Sequence, residues 1–142
     1  MTEKRLLLLL RLAIGWFFLY SGVTKVFDPT WSAAGYLTNA QTFGWLYQWF
    51  ASSQLLPIIN VVNSWGQLLL GISLITGLYV RQGGVAGAIL MLLYYFPILK
   101  FPFAGEHALL IDEHIIYAIA LLYLSRVNIE PLWKTGKGGE KK

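Results

Sequence analysis

From Pro29 to Val80 the chain carries no charged side chain. A small soluble domain leaves a large share of its surface in water and needs a polar coat to cover it. A stretch this long without charge cannot supply that coat, and the rest of the chain does little to compensate. Only 13% of residues are charged and 56% are hydrophobic, with a mean hydropathy of +0.57; an average soluble domain is about 25% charged. Hydrocarbon is the solvent that suits such a surface. The 142 residues are enough for one bundle and predict a single domain.

A membrane-spanning helix needs roughly 20 apolar residues. Four such helices are predicted, at about 6–27, 58–80, 84–99 and 107–125. The first opens on the leucine run Leu6 to Leu10 and follows Lys4 and Arg5. That start resembles a secretory leader. However, no small-residue cleavage site follows at the usual distance, and the apolar stretch is too long, so a retained helix is expected. Pro97 and Pro102 mark the end of the third helix, because proline removes a donor from the helical ladder. No run shows the two-residue alternation of a barrel strand. The expected fold is therefore an all-α membrane protein, a four-transmembrane-helix bundle. A Gly- and Lys-rich tail at 134–142 is expected to be disordered.

The segment 29–57 between the first two helices is rich in aromatic residues, among them Trp31, Tyr36, Trp45, Tyr47 and Trp49. Tryptophan and tyrosine favour the headgroup region, where an apolar ring and a polar tip are both satisfied. One or two short interfacial helices over the mouth of the bundle are expected here, rather than an ordinary extramembrane loop.

Four spans place both termini on one side. With them fall Lys4, Arg5, Arg11, Arg81, Arg126, Lys134, Lys137, Lys141 and Lys142, leaving Lys25 and Lys100 for the other. The positive-inside rule then predicts a multi-pass protein of the cell membrane with both termini cytoplasmic. The net charge of +4 is explained as a topology signal and argues for the lipid bilayer, not nucleic acid, as the partner. Cysteine is absent, which removes disulfides, thiolate metal sites and iron–sulfur clusters. No metal, flavin, nicotinamide or haem motif is visible.

Ionisable groups within a span are costly, so they mark candidate sites. Arg11 and Lys25 are about four turns apart on the first helix and share a stripe with Gly15, Phe18 and Gly22. Small residues at this spacing permit close helix approach. Arg11 either faces the bundle or extends to the cytoplasmic surface. Asp112, Glu113 and His114 are expected one to two turns inside the outer end of the fourth helix, fanned by about 100° each. His107 and His114, seven apart, would share a face, either as a ligand pair or as two hydrogen-bonded histidines near a helix end. Asn60 and Asn63 on the second helix lie at the depth of Lys25, Gln67 and Gly71 continue their stripe deeper, and Tyr94 and Tyr95 on the third helix reach a similar level. An outward-facing polar pocket is expected there, with Lys25 the counter-ion of Asp112 or Glu113; a mere charge clamp between helices is the alternative.

The stretches RLAIGWFFLYSGVTKVFDP, WGQLLLGISLITGLYVR and LLIDEHIIYAIALLYL together resemble the DoxX/DoxD family of small four-helix membrane proteins. The resemblance extends over roughly Arg11 to Arg126 and is nearer to the DoxD side, the small subunit of thiosulfate:quinone oxidoreductase. Many DoxX-type proteins carry a glutamate where this chain has Gln67. The resemblance implies a membrane subunit of a quinone-linked oxidoreductase that passes electrons from a sulfur compound such as thiosulfate to quinone, together with a second subunit on the outer face. A homo-oligomer is also compatible with the chain. On that reading Asp112, Glu113, His114 and Lys25 are the candidate catalytic groups. Tyr94, Tyr95, Asn63, Trp65 and Gln67 are the candidate quinone-binding residues. A non-catalytic accessory or scaffold protein of a larger complex is the competing expectation.

Overall fold

The computed structural model describes residues 2–127 and is built from helices. They run α1 (Glu3–Val26), α2 (Ala34–Thr38), α3 (Gly44–Phe50), α4 (Leu56–Thr76), α5 (Val80–Ile98) and α6 (Glu113–Arg126). Among the described residues there is no strand, only isolated bridges within the α5–α6 loop. The predicted tail at 134–142 lies outside the described residues.

Two antiparallel pairs form the frame, α1 with α4 and α5 with α6. In hydrocarbon there is little hydrophobic drive between helices, so close packing carries the association. Glycine permits it here. A Cβ on Gly22 would lie 2.3 Å from the backbone nitrogen of Leu68, and one on Gly71 would lie 2.3 Å from that of Leu19. Across α5 and α6, a Cβ on Gly84 would meet the Leu121 carbonyl at 2.6 Å. The predicted stripe on α1 faces inward, with Arg11, Gly15, Phe18 and Gly22 all buried. Arg11 is fully enclosed and does not reach out to the surface. Phe18, Leu74, Leu121 and Leu124 form the fully buried centre.

Two helices, Glu3–Val26 and Leu56–Thr76, are long and apolar enough to cross a membrane. At about 1.5 Å per residue, the 21 residues of α4 reach roughly the 30 Å of a hydrocarbon core. The 14 residues of α6 do not. The expected helix at 107–125 is therefore corrected at its start. Residues 99–112 form a tied loop, in which Lys100 and Phe103 exchange backbone hydrogen bonds and Ala104 N–H donates to Ala108. The helix begins only after Asp112, whose side chain accepts from the N–H groups of His114 and Ile115. Aspartate is a strong N-cap because its carboxylate satisfies orphan donors of the first turn. Asp112 thus sits at the helix boundary, not one to two turns inside. His107 is in the loop, so it shares no helical face with His114.

The other boundaries move by a few residues. A left-handed Gly77 closes α4 at Thr76 instead of 80. The next helix, α5, begins at Val80 instead of 84, with Pro97 in its last turn. Between α1 and α4 the aromatic segment supplies α2 and α3. Its Ala33, Leu37 and Tyr47 form a small core of their own with Trp31, Phe50, Ile59 and Phe96.

Candidate functional site

The α2–α3 segment is fastened to the C-terminal end of α5 by a specific set of donors. Pro97 has no N–H, so the carbonyl four residues earlier, that of Leu93, loses its helical donor. The Tyr47 hydroxyl donates to it at 2.9 Å. Tyr36 donates to the carbonyl of Tyr94. Gln41 N–H donates to the Pro97 carbonyl at 2.9 Å, and Thr42 Oγ1 to that of Leu99 at 2.6 Å. The final carbonyls of a helix have no intrahelical partner, and here the preceding segment supplies donors for them. Burial holds both phenols above their ordinary ionisation range, with the nearby Tyr94 and Tyr47 adding to the effect at Tyr36.

This attachment roofs a cavity of about 540 Å³. Its apolar walls include Phe17, Tyr47, Phe50, Met91 and Tyr117, and its polar side chains gather where α1, α4, α5 and α6 meet. Lys25 donates to Ser21 Oγ at 2.5 Å and to Gln67 Oε1 at 2.7 Å, and its ammonium lies 5.5 Å from the centre of the Trp31 ring. Ser21 donates to the same Gln67 oxygen at 2.7 Å. Gln67 Nε2 donates to Tyr94 Oη at 3.1 Å, and Tyr94 donates to Asn63 Oδ1 at 2.8 Å. A directed chain thus runs from Lys25 through Gln67 and Tyr94 to Asn63.

The opposite face of Tyr94 meets His114, with the rings near parallel and 6.1 Å apart. The position of His114 follows from the cap. Asp112 uses Oδ1 on the helix N-terminus and Oδ2 on His114 Nδ1, at 2.6 Å. A carboxylate only accepts, so Nδ1 carries the proton and Nε2 is left as the versatile atom.

Of the expected site residues, Lys25, Asn63, Gln67, Tyr94, Glu113 and His114 line one cavity. Asp112 is outside its wall and acts through His114. Tyr95 turns away and donates to the Leu110 carbonyl, and Trp65 lies half-exposed on the surface. The expected ion pair of Lys25 with Asp112 or Glu113 is not formed. Among the described residues the carboxylate–cation contact within 4.0 Å is His114 with Asp112. The reason is local: Asp112 is committed to the α6 cap, while Ser21 lies one turn before Lys25 and offers a nearer acceptor. Sequence reading missed Ser21, Tyr36 and Tyr47. The tyrosines had a signal in Pro97, whose freed carbonyl needs an outside donor. Among the described residues no cluster of three or more metal-ligating side chains occurs.

An apolar helical frame with two helices long enough to cross a bilayer marks a membrane protein. A family model described as DoxX matches residues 6–98. The chain belongs to the DoxX family. The match ends at the end of α5, so Asp112, Glu113 and His114 lie beyond the stretch that carries it. Neither curated proteins nor solved structures gave a match.

Proposed function

We propose that this protein is a multi-pass membrane subunit of a quinone-linked oxidoreductase, and that the cavity beneath α2 and α3 receives the quinone head. The observation that carries this reading is the imbalance of donors and acceptors in the cavity. Tyr94 spends its proton on Asn63, and Ser21 spends its own on Gln67. At the Lys25–Gln67–Asn63 side of the cavity the groups left to face a ligand are N–H: a further proton of Lys25, the second amide proton of Gln67 and the amide of Asn63, while the Glu113 carboxyl borders the cavity from α6. His114 adds Nε2 when protonated. A quinone brings an apolar ring and two acceptor carbonyls, which complement such a wall. His114, held by Asp112, is placed to supply a proton when a bound carbonyl is reduced.

The same reading puts α1, α4, α5 and α6 in the bilayer. Their outward faces carry Trp16, Leu69, Ile89 and Ile119, all exposed. The tied loop 99–112 completes the crossing that α6 alone is too short to make. Both termini are cytoplasmic in this arrangement, and Trp45 and Trp49 lie at the outer interface. A cysteine replacing Glu140 in this cysteine-free chain should then label only from the cytoplasmic side. The proposed electron source is a sulfur compound such as thiosulfate, delivered with a second subunit on the outer face. Support comes from the resemblance to the DoxD side and from Lys25 on the cavity wall, which suits an anionic donor nearby.

The deciding experiment titrates a short-chain quinone into the purified protein in nanodiscs. Saturable binding, weakened at least tenfold by His114→Ala combined with Gln67→Leu, is expected. No binding and no quinone reduction, with or without co-purified neighbours, would sink the reading. A non-catalytic accessory role is favoured by a different observation, the exposure of Trp45 and Trp49 on α3. A stoichiometric partner lost on Trp45→Ser and Trp49→Ser, with no quinone effect, would select it.

A further inference from the structure

We infer that the cavity prefers a head group that carries a negative charge on oxygen, namely the deprotonated form of a hydroxyquinone, over a neutral quinone of the same shape. The inference rests on the quinone-site reading and deepens it.

An ammonium removed from water is costly unless an opposite charge lies close by. Lys25 is half-buried at the cavity wall, and no described carboxylate lies within 4.0 Å of it. Each nearby acid is accounted for. Asp28, three residues on, turns its carboxylate back to the hydroxyl and N–H of Thr30. Asp112 is engaged by His114 and the α6 cap. Glu113 borders the cavity without reaching Lys25.

What holds the ammonium is neutral. Ser21 Oγ and Gln67 Oε1 take two of its three protons at short range, and its other contacts are looser, the Ser21 carbonyl at 3.4 Å and the Trp31 ring with its centre 5.5 Å away. The third proton is thus weakly held beside a cavity with apolar walls. Gln67 strengthens the bias, because its oxygen is committed to Lys25 and Ser21 while its nitrogen points on to Tyr94. The protein supplies the cation, the orientation of the dipoles and a low-dielectric surround, but its carboxylate on the cavity wall, Glu113, makes no contact with Lys25 within 4.0 Å. A ligand oxyanion completes the pair inside the cavity, where the attraction is far stronger than in water. A neutral carbonyl accepts the same hydrogen bond without balancing the charge.

A matched probe pair tests this directly. 2-Hydroxy-1,4-naphthoquinone is ionised at neutral pH, whereas its methyl ether has the same ring and no charge. Calorimetric titration of each into the full-length protein in zwitterionic nanodiscs at pH 7 is expected to show the ionised probe binding at least tenfold more tightly. Lys25→Met is expected to abolish that preference: both probes lose a hydrogen bond, the ionised probe loses more, and the two end within about threefold of each other. Gln67→Glu provides a second variant should Lys25→Met fold poorly. It sets a carboxylate where the amide oxygen lies 2.7 Å from Lys25, and it should remove the preference with the lysine still in place. Equal binding of the two probes to the unaltered protein would overturn the inference and leave the quinone site standing. A preference that survives both variants would also overturn it, by placing the discrimination elsewhere. Failure of both probes to bind would overturn the quinone reading itself.

Discussion

The hydroxyl of Tyr47 donates at 2.9 Å to the carbonyl of Leu93, the one carbonyl that Pro97 deprives of its helical donor. The two residues lie on different helices and act as one device. An unsatisfied backbone carbonyl away from water is costly, so the proline is tolerated because the tyrosine answers it.

A double-mutant cycle measures that dependence. Tyr47→Phe should cost about 1 kcal/mol, the usual net value of one hydrogen bond. In a Pro97→Ala background the restored N–H can take over the Leu93 carbonyl, and the same Tyr47→Phe change should cost close to nothing. Thermal unfolding of the four proteins in one detergent gives the coupling. Additive losses would contradict the pairing.

Two glycines on one helix should respond in opposite directions to alanine. Gly71→Ala must push against the backbone of Leu19 and should destabilise by about 1–3 kcal/mol or more. Gly66 has open space around its Cβ position, so Gly66→Ala should stabilise α4 by about 0.5–1 kcal/mol through reduced chain entropy. Melting temperatures in the same detergent compare the two.

Alkaline pH should release the α2–α3 segment before the frame. Burial raises the ionisation of Tyr36 and Tyr47 above the ordinary phenol value of about 10. A group whose folded value is raised contributes stability that is complete below the unfolded value and drains away as pH climbs toward the folded one. The melting temperature should therefore hold to about pH 10 and fall above it. The fall should be shallower in Tyr36→Phe. A melting temperature flat to pH 11.5, with tyrosinate absorbance already developed, would refute this.

Asp112 combines two tasks that separate by substitution. Asp112→Ala loses the cap and should cost about 1 kcal/mol of stability. Asp112→Ser keeps a capping oxygen and should recover most of that, but it cannot hold His114 Nδ1 as a carboxylate does. If His114 serves the bound quinone, both variants should weaken quinone binding, whereas only Asp112→Ala should melt early. Normal binding in Asp112→Ser would release His114 from the site.

The parts of this structure that were legible from sequence are those governed by one helix at a time. The stripe of Arg11, Gly15, Phe18 and Gly22 followed from helical periodicity alone, and its burial is as expected. Shared depth brought Lys25, Asn63, Tyr94 and His114 to one level, and the cavity is lined by all four. What sequence reading could not resolve was competition between partners. Lys25 paired with Gln67 and not with an acid because Asp112 had a nearer claim on it, the cap of α6. The same misjudged residue displaced the start of α6. Apolar residues from Leu109 to Ile111 continue the hydropathy of the helix, but they belong to the loop before it.

The dependence of α5 on the preceding segment also limits how such a chain can change over evolutionary time. Excising the stretch between α1 and α4 would strip the roof from the cavity and leave the last carbonyls of α5 without their donors. Point substitutions on its inner wall, away from Tyr36 and Tyr47, carry no such penalty. Diversification of ligand choice should therefore proceed by exchanging side chains within an insert of conserved length, not by shortening it.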